Sequence, residues 1–197
     1  MDVIKVMIVD DDQSWREHMR ELLVEEKDIQ VIHSCADEAA ALQALQNQVP
    51  DIVLLDIMLS KHQYNGIEAA GRIHRLSSSK IIMLTSLSAD KQRILQAFDQ
   101  GVVNYIGKES YRDIPGAIRA AYKGRVSIHP DCSAIVTQEL RRERKLRVLS
   151  PAERSVQDLR EEGKTRKQIA EYLVTTADNV KRHIYNIRKK LEREGGK

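Results

Sequence analysis

Residues 6–12 read VMIVDDD, a short apolar, largely β-branched run that stops on three consecutive aspartates. A run of this length with no polar face has the signature of a strand buried on both sides, so residues 3–9 are expected to form one. The pattern recurs along the chain. Residues 51–55 run into Asp56, residues 80–84 run into Thr85, residues 102–106 end just before Lys108, and residues 29–33 form a further short strand. Between these runs, residues 14–26, 36–46, 66–76, 90–98 and 111–122 read as helices, with Gly101 placed to end the fourth. Five strands alternating with five helices predict βαβ crossovers and a parallel sheet covered on both faces. Ligands of such sheets bind at the carboxyl ends of the strands, so Asp10, Asp11, Asp56, Thr85 and Lys108 are expected on one rim.

Composition narrows the class. The chain has 197 residues, 42% hydrophobic and 31% charged, as ordinary globular proteins do, and with 4% aromatics its cores must be aliphatic. No apolar run approaches the roughly 18 residues of a membrane span, and no basic-then-apolar signal opens the chain, so a cytoplasmic protein without membrane contact is expected. Cys35 and Cys132 form no metal-ligand pattern and read as reduced thiols. The net charge of +3 divides unevenly: residues 1–139 carry −5 and residues 140–197 carry +8. A polyanion is the natural partner of the basic part.

The aspartate rim has a chemistry of its own. Clustered carboxylates repel unless a cation offsets them, and a hard-oxygen site suits Mg²⁺. A carboxylate such as Asp56 can take a phosphoryl group, whose charge would then be met by Mg²⁺, the Lys108 ammonium and the Thr85 hydroxyl.

The basic part carries three helix starts. Ser150-Pro151-Ala152-Glu153 combines an N-cap, a proline at the first helical position and a capping-box glutamate. Thr165-Arg166-Lys167-Gln168 repeats the box, and Thr176 opens a third helix with Val180, Ile184, Ile187 and Leu191 on its core side. Two helices joined by a tight turn, the second one basic, form a helix-turn-helix pattern. Residues 131–147 are expected to form a connecting helix, preceded by a linker over residues 125–130.

VMIVDDD, DIVLLDIM, IIMLTS and VVNYIGKE, in this order and spacing, resemble the receiver domain of two-component response regulators. The resemblance implies a flavodoxin-like α/β fold over residues 1–124. It assigns phosphorylation to Asp56, Mg²⁺ binding to Asp10, Asp11, Asp56 and the Met58 backbone carbonyl, phosphoryl contacts to Thr85 and Lys108, and a rotamer switch to Tyr105. Residues 149–191 are similar to the LuxR-type DNA-binding domain, which implies a small all-α domain over residues 148–197 after a linker of residues 125–147. In that likeness Lys181, Arg182 and Tyr185 match base-contacting positions, while Asn179, Arg188, Lys189, Arg166 and Lys167 would serve phosphates. Receiver and LuxR-type domain together resemble the NarL/FixJ class. This implies a transcriptional regulator rather than an enzyme, with a sensor histidine kinase, double-stranded DNA and RNA polymerase as partners.

Three departures qualify the likeness. Where the family usually has proline after the phosphorylated aspartate, this chain has Ser60, and residues 60–65 make a longer loop than usual. The family adds a fourth helix after the segment ending at Leu191, and only Glu192 to Lys197 follow here. A shortened chain, a homodimer formed through the receiver or the 131–147 helix, and a monomer are all compatible with that ending. Two other functions compete: a regulator controlled by protein partners independently of phosphate, which Ser60 and the long loop favour, and a haloacid-dehalogenase-type phosphatase. The phosphatase motif wants Thr or Val where Ser14 stands, and the sequence has no cap domain.

Overall fold

A computed structural model describes residues 2–60, 65–86, 90–125 and 128–195. The chain divides into two compact units, Met1–Val136 and Thr137–Lys197.

The first unit is built on β1 (Ile4–Val9), β2 (Ile29–Cys35), β3 (Ile52–Asp56), β4 (Lys80–Thr85) and β5 (Val102–Gly107). They form one parallel sheet in the order β2-β1-β3-β4-β5. Helices α1 (Gln13–Val24), α2 (Glu38–Asn47), α3 (Asn65–Leu76), α4 (Lys91–Asp99) and α5 (Ile114–Tyr122) cross between or follow the strands. All five residues of β3 are buried, because the central strand is covered on both faces. One face gathers Met7, Val53, Leu55, Ile73 and Met83, and the other Ile8, Met19, Leu54, Ile82 and Ile118. The core is therefore aliphatic, as the composition requires.

The order reverses between β1 and β3, the place in such sheets where ligands bind at the strands' carboxyl ends. Asp12 caps α1 by accepting the Trp15 N–H at 3.2 Å. Gly101, at φ +88°, ends α4 in the left-handed conformation expected of it.

Two expectations need correction. The final helix of this unit does not start at residue 111. Residues Lys108–Asp113 form a 3-10 turn, with Ser110 off helical geometry, and α5 starts at Ile114, where Pro115 lies within its first two positions. Proline has no N–H to donate, so it suits a helix start and not an interior. Nor are all of residues 125–130 a free connection: Ile128 packs against the first core, and the His129 N–H donates to Asn104 Oδ1 at 3.0 Å. The connecting helix, α6, runs Pro130–Leu146, and its start belongs to the first unit.

The second unit continues from α6 with α7 (Pro151–Glu161), α8 (Arg166–Tyr172) and α9 (Ala177–Gly195). Both capping boxes form, at Ser150/Glu153 and at Thr165/Gln168. Leu146, Leu149, Val156, Leu159, Ile169, Ala170, Val180 and Ile187 make a separate core. Arg142 of α6 reaches Glu161 at 2.8 Å and also pairs with Asp158, both on α7.

Candidate functional site

The strand ends deliver the predicted rim. Asp10 follows β1, Asp56 ends β3, Thr85 ends β4 and Lys108 follows β5. The Lys108 ammonium lies 2.6 Å from Asp10 Oδ2 and 3.3 Å from Asp56 Oδ1. Asp10 and Asp56 are buried, while Asp11 is exposed, and one carboxylate oxygen from each lies within 4.8 Å of the others. Backbone N–H groups hold the two buried carboxylates: Asp12 donates to Asp10 Oδ1 at 3.0 Å, and Met58 to Asp56 Oδ2 at 3.1 Å. Asp12 itself is committed to capping α1.

The electrostatics of the cluster are those of a charged group taken out of water. Burial pushes the Asp56 carboxyl up to about 6, against the opposing pull of Lys108. Burial raises Asp10 as well. With all three aspartates ionised, one lysine leaves two negative charges uncompensated, and the donors are hard carboxylate oxygens. This donor set fits a divalent cation of the Mg²⁺ kind.

Several contributors were not singled out by the sequence reading. The Gly66 N–H donates to the Ile57 carbonyl at 3.1 Å, and a Cβ at Gly66 would lie 2.0 Å from the Asp56 carbonyl oxygen. Only glycine lets α3 approach β3 this closely. The Arg16 guanidinium donates to the Asp10 carbonyl at 2.7 Å, and the Trp15 ring centroid lies 5.2 Å from the Lys108 ammonium. Asn65 Oδ1 accepts from the Leu59 N–H at 3.1 Å, and its amide donates to Ser60 Oγ at 3.2 Å. Ser60 thus ties the two ends of the long loop, whose residues 61–64 lie outside the described residues.

Tyr105 is 2% exposed, and its phenol lies beside the Thr85 side chain. Desolvation raises the phenol above its usual range. Tyr105 and Thr85 are therefore one packed unit beside the carboxylate rim.

In the second unit, α9 sorts its residues by face. Val180 and Ile187 are buried, and Ile184 and Leu191 are partly buried against the same core. Lys181, Arg182, Tyr185, Arg188 and Lys189 are exposed, as are Arg166 and Lys167 at the start of α8. Tyr185 is 66% exposed, unusual for so large a ring. Asn179 is half-buried and busy: it donates to Thr175 Oγ1 at 2.8 Å and accepts from Arg182 at 2.8 Å. Its side chain braces the turn and orients Arg182. Lys190 is set apart from the exposed lysines, because its ammonium lies 2.6 Å from Glu153. Burial alone would raise Glu153, but Lys190 and the Ser150 N–H hold its carboxyl below the usual range.

Comparison with known proteins agrees with this geometry. Residues 6–119 match the response regulator receiver domain, and residues 147–195 match the bacterial regulatory proteins of the luxR family. The transcriptional regulatory protein LiaR of Bacillus subtilis is 33% identical over 96% of this chain and 92% of its own length. The response regulator protein VraR of Staphylococcus epidermidis is 31% identical over 96% of this chain and 90% of its own length. Among solved structures, a LuxR-family two-component response regulator from Aurantimonas sp. aligns with a TM-score of 0.64 at 28% identity, over 70% of this chain and 98% of that one. RcsB of Salmonella typhimurium shares the fold over 98% of this chain and 93% of its own, with a TM-score of 0.62 at 22% identity. Parallel sheet, acidic rim and basic helix-turn-helix thus converge, and the chain belongs to the NarL/FixJ class of two-component response regulators, transcription factors that join a receiver domain to a LuxR-type DNA-binding domain.

Proposed function

We propose that Asp56 is the phosphoacceptor and that a sensor histidine kinase supplies the phosphoryl group. The Asp56 carboxylate oxygen forms the new bond to phosphorus as the bond from phosphorus to the donor's nitrogen breaks, and the nitrogen keeps the electron pair. The observation that carries this reading is the placement of Lys108, bridging Asp10 and Asp56 at 2.6 and 3.3 Å. Its ammonium is where a transferred phosphoryl oxygen needs positive charge. Asp10, Asp11, Asp56 and the Met58 carbonyl would hold Mg²⁺, which when bound offsets charge on the phosphoryl oxygens. Thr85 donates its hydroxyl to a phosphoryl oxygen, and its link to Tyr105 carries the change to the neighbouring face.

The output is DNA binding. Residues 1–124 form the receiving domain, residues 125–147 the linker and residues 148–197 the reading domain. Lys181, Arg182 and Tyr185 face base edges in the major groove. Arg166, Lys167, Arg188 and Lys189 meet phosphates, and Asn179 holds Arg182. The chain works by binding and not by turnover, in the cytoplasm, with RNA polymerase as the downstream partner. Among the described residues no helix is long and apolar enough to cross a membrane. RcsB has been seen as dimers on DNA, and a homodimer is the corresponding proposal here.

Intact mass after incubation with acetyl phosphate, with and without Mg²⁺, tests the phosphoacceptor. One Mg²⁺-dependent phosphoryl adduct is expected, absent in Asp56→Ala. No adduct in the wild-type chain would favour the second reading, control by protein partners. Ser60 in place of the family's proline, and the longer loop that follows it, are what favour that reading.

A further inference from the structure

Residues 128–136, which lead into and begin α6, are bound into the first unit along β5, the edge strand of the sheet. His129 is 9% exposed and sits between two carboxylates. Its Nε2 lies 3.1 Å from Asp113 Oδ2, and its Nδ1 lies 3.1 Å from Asp131 Oδ2. The His129 main-chain N–H donates to Asn104 of β5. Cys132 is fully buried in the same cluster as Tyr105, with Ile135 and Val136 packed alongside. Asp131 makes the contact that matters most: its Oδ2 accepts the Gly107 N–H at 2.8 Å.

Gly107 is the last residue of β5, and Lys108 follows it directly. An edge strand leaves outward N–H groups without a strand partner. Here the last of them is taken by a carboxylate from outside the sheet. Glycine gives this backbone more freedom than any other residue, so its hydrogen bond is a real constraint on where Lys108 begins. Lys108 in turn spans both buried carboxylates of the rim.

We propose that Asp131 is a positioning residue for phosphorylation: it fixes the Gly107 backbone and so holds the Lys108 ammonium at Asp10 and Asp56. Residues 128–136 form the clamp that keeps Asp131 there, with the Asp131 N–H donating to His129 Nδ1 at 3.3 Å and His129 Nε2 facing Asp113. This inference rests on Asp56 being the phosphoacceptor. The linker is then part of the chemical site rather than a tether behind it, and whatever lifts it from β5 slows the loading of Asp56. The effect belongs to geometry, since small misplacements of a charge-stabilising group are costly in rate.

The test uses the full chain, acetyl phosphate and Mg²⁺, with adduct formation followed by intact mass. Asp131→Ala is expected to slow the adduct's appearance about fivefold, the scale of one lost hydrogen bond expressed as a rate. Asp131→Asn keeps a carbonyl oxygen for the Gly107 N–H and should stay within about twofold of wild type. Asp113→Ala loosens His129 without touching β5 and should fall between them. Amide hydrogen exchange over residues 102–108 should speed up in Asp131→Ala and change little in Asp131→Asn, while an unchanged thermal melt shows that the variants fold. Equal rates in wild type and Asp131→Ala, or equal slowing in the Ala and Asn variants, would overturn the inference. A wild-type chain that forms no adduct would instead remove the phosphoacceptor reading on which it rests.

Discussion

Burying the Asp56 carboxyl has a cost in stability that depends on pH. Its carboxyl is raised to about 6, chiefly by burial. Below pH of about 4 it is neutral in the folded and unfolded chains alike. Between about 4 and 6 the unfolded chain releases its proton first, so the fold loses stability as pH rises. Above about 6 the loss is complete and levels off. Asp56→Asn should therefore raise the melting temperature in metal-free buffer at pH 8, by roughly 5–10 °C, and leave it almost unchanged below about pH 4. Added Mg²⁺ should stabilise the wild type and narrow the gap. A melt of both proteins at the two pH values checks the sign. Asp10, Asp56, Thr85 and Lys108 were legible from the sequence because each ends or follows an apolar run, and parallel sheets gather such ends. Gly66 was not legible, because its reason is tertiary. A Cβ there would lie 2.0 Å from the Asp56 carbonyl oxygen and 2.8 Å from Ile57 Cα, both backbone atoms that cannot swing away. Gly66→Ala should cost about 2 kcal/mol in denaturant unfolding and slow adduct formation as well.

Elements were legible where local chemistry sets their ends. The capping boxes at Ser150/Glu153 and Thr165/Gln168 form as read, because serine or threonine with a glutamate or glutamine three residues on satisfies two orphan N–H groups within one turn. The start of α5 was missed, because a helical apolar spacing continues through a stretch that Pro115 and the geometry of Ser110 turn into a 3-10 segment. The anchoring of residues 128–136 was missed for another reason: its partners Asn104, Gly107 and Asp113 lie on other elements. The turn after α8 shows a local conflict. Val174 sits at φ +50°, the Thr175 N–H reaches the Ala170 carbonyl at 2.9 Å, and the Val174 N–H reaches Glu171 at 3.3 Å. This is the left-handed helix ending that usually takes glycine, and a β-branched residue there is strained. Val174 is 92% exposed, so its side chain returns almost no packing. Val174→Gly should stabilise the helical unit by about 0.5–1 kcal/mol, the left-handed cost less glycine's own entropy cost. Chemical denaturation followed by helical circular dichroism reads it, and a loss of stability would show that the turn is held by something other than backbone conformation.

At the scale of the whole molecule, charge and function divide at nearly the same place. Residues 1–139 carry −5 and residues 140–197 carry +8, so a uniform polyanion is drawn to the helix-turn-helix and repelled by the acidic rim. Such attraction is dominated by counterion release and supplies affinity without sequence preference. Under the proposed DNA-binding role, preference would come from the few side chains on the exposed face of α9. Lys167 stands exposed on α8, whereas the Arg182 guanidinium on α9 donates to Asn179 Oδ1 at 2.8 Å. A lysine that meets only phosphate and an arginine that reads a base edge should fail differently. Lys167→Ala should weaken binding to every duplex alike and reduce the slope of log affinity against log salt by about 1. Arg182→Ala should cost about 1–3 kcal/mol on the preferred site and much less on a scrambled one, flattening the ratio between them. Asn179→Ala should reproduce part of the Arg182 loss, because it frees the guanidinium without removing it. Binding isotherms of the four proteins on both duplexes, at two or more salt concentrations, separate these outcomes. Equal losses on both duplexes for Arg182→Ala would move that residue to the phosphate-contacting set and leave Lys181 and Tyr185 as the readers of sequence.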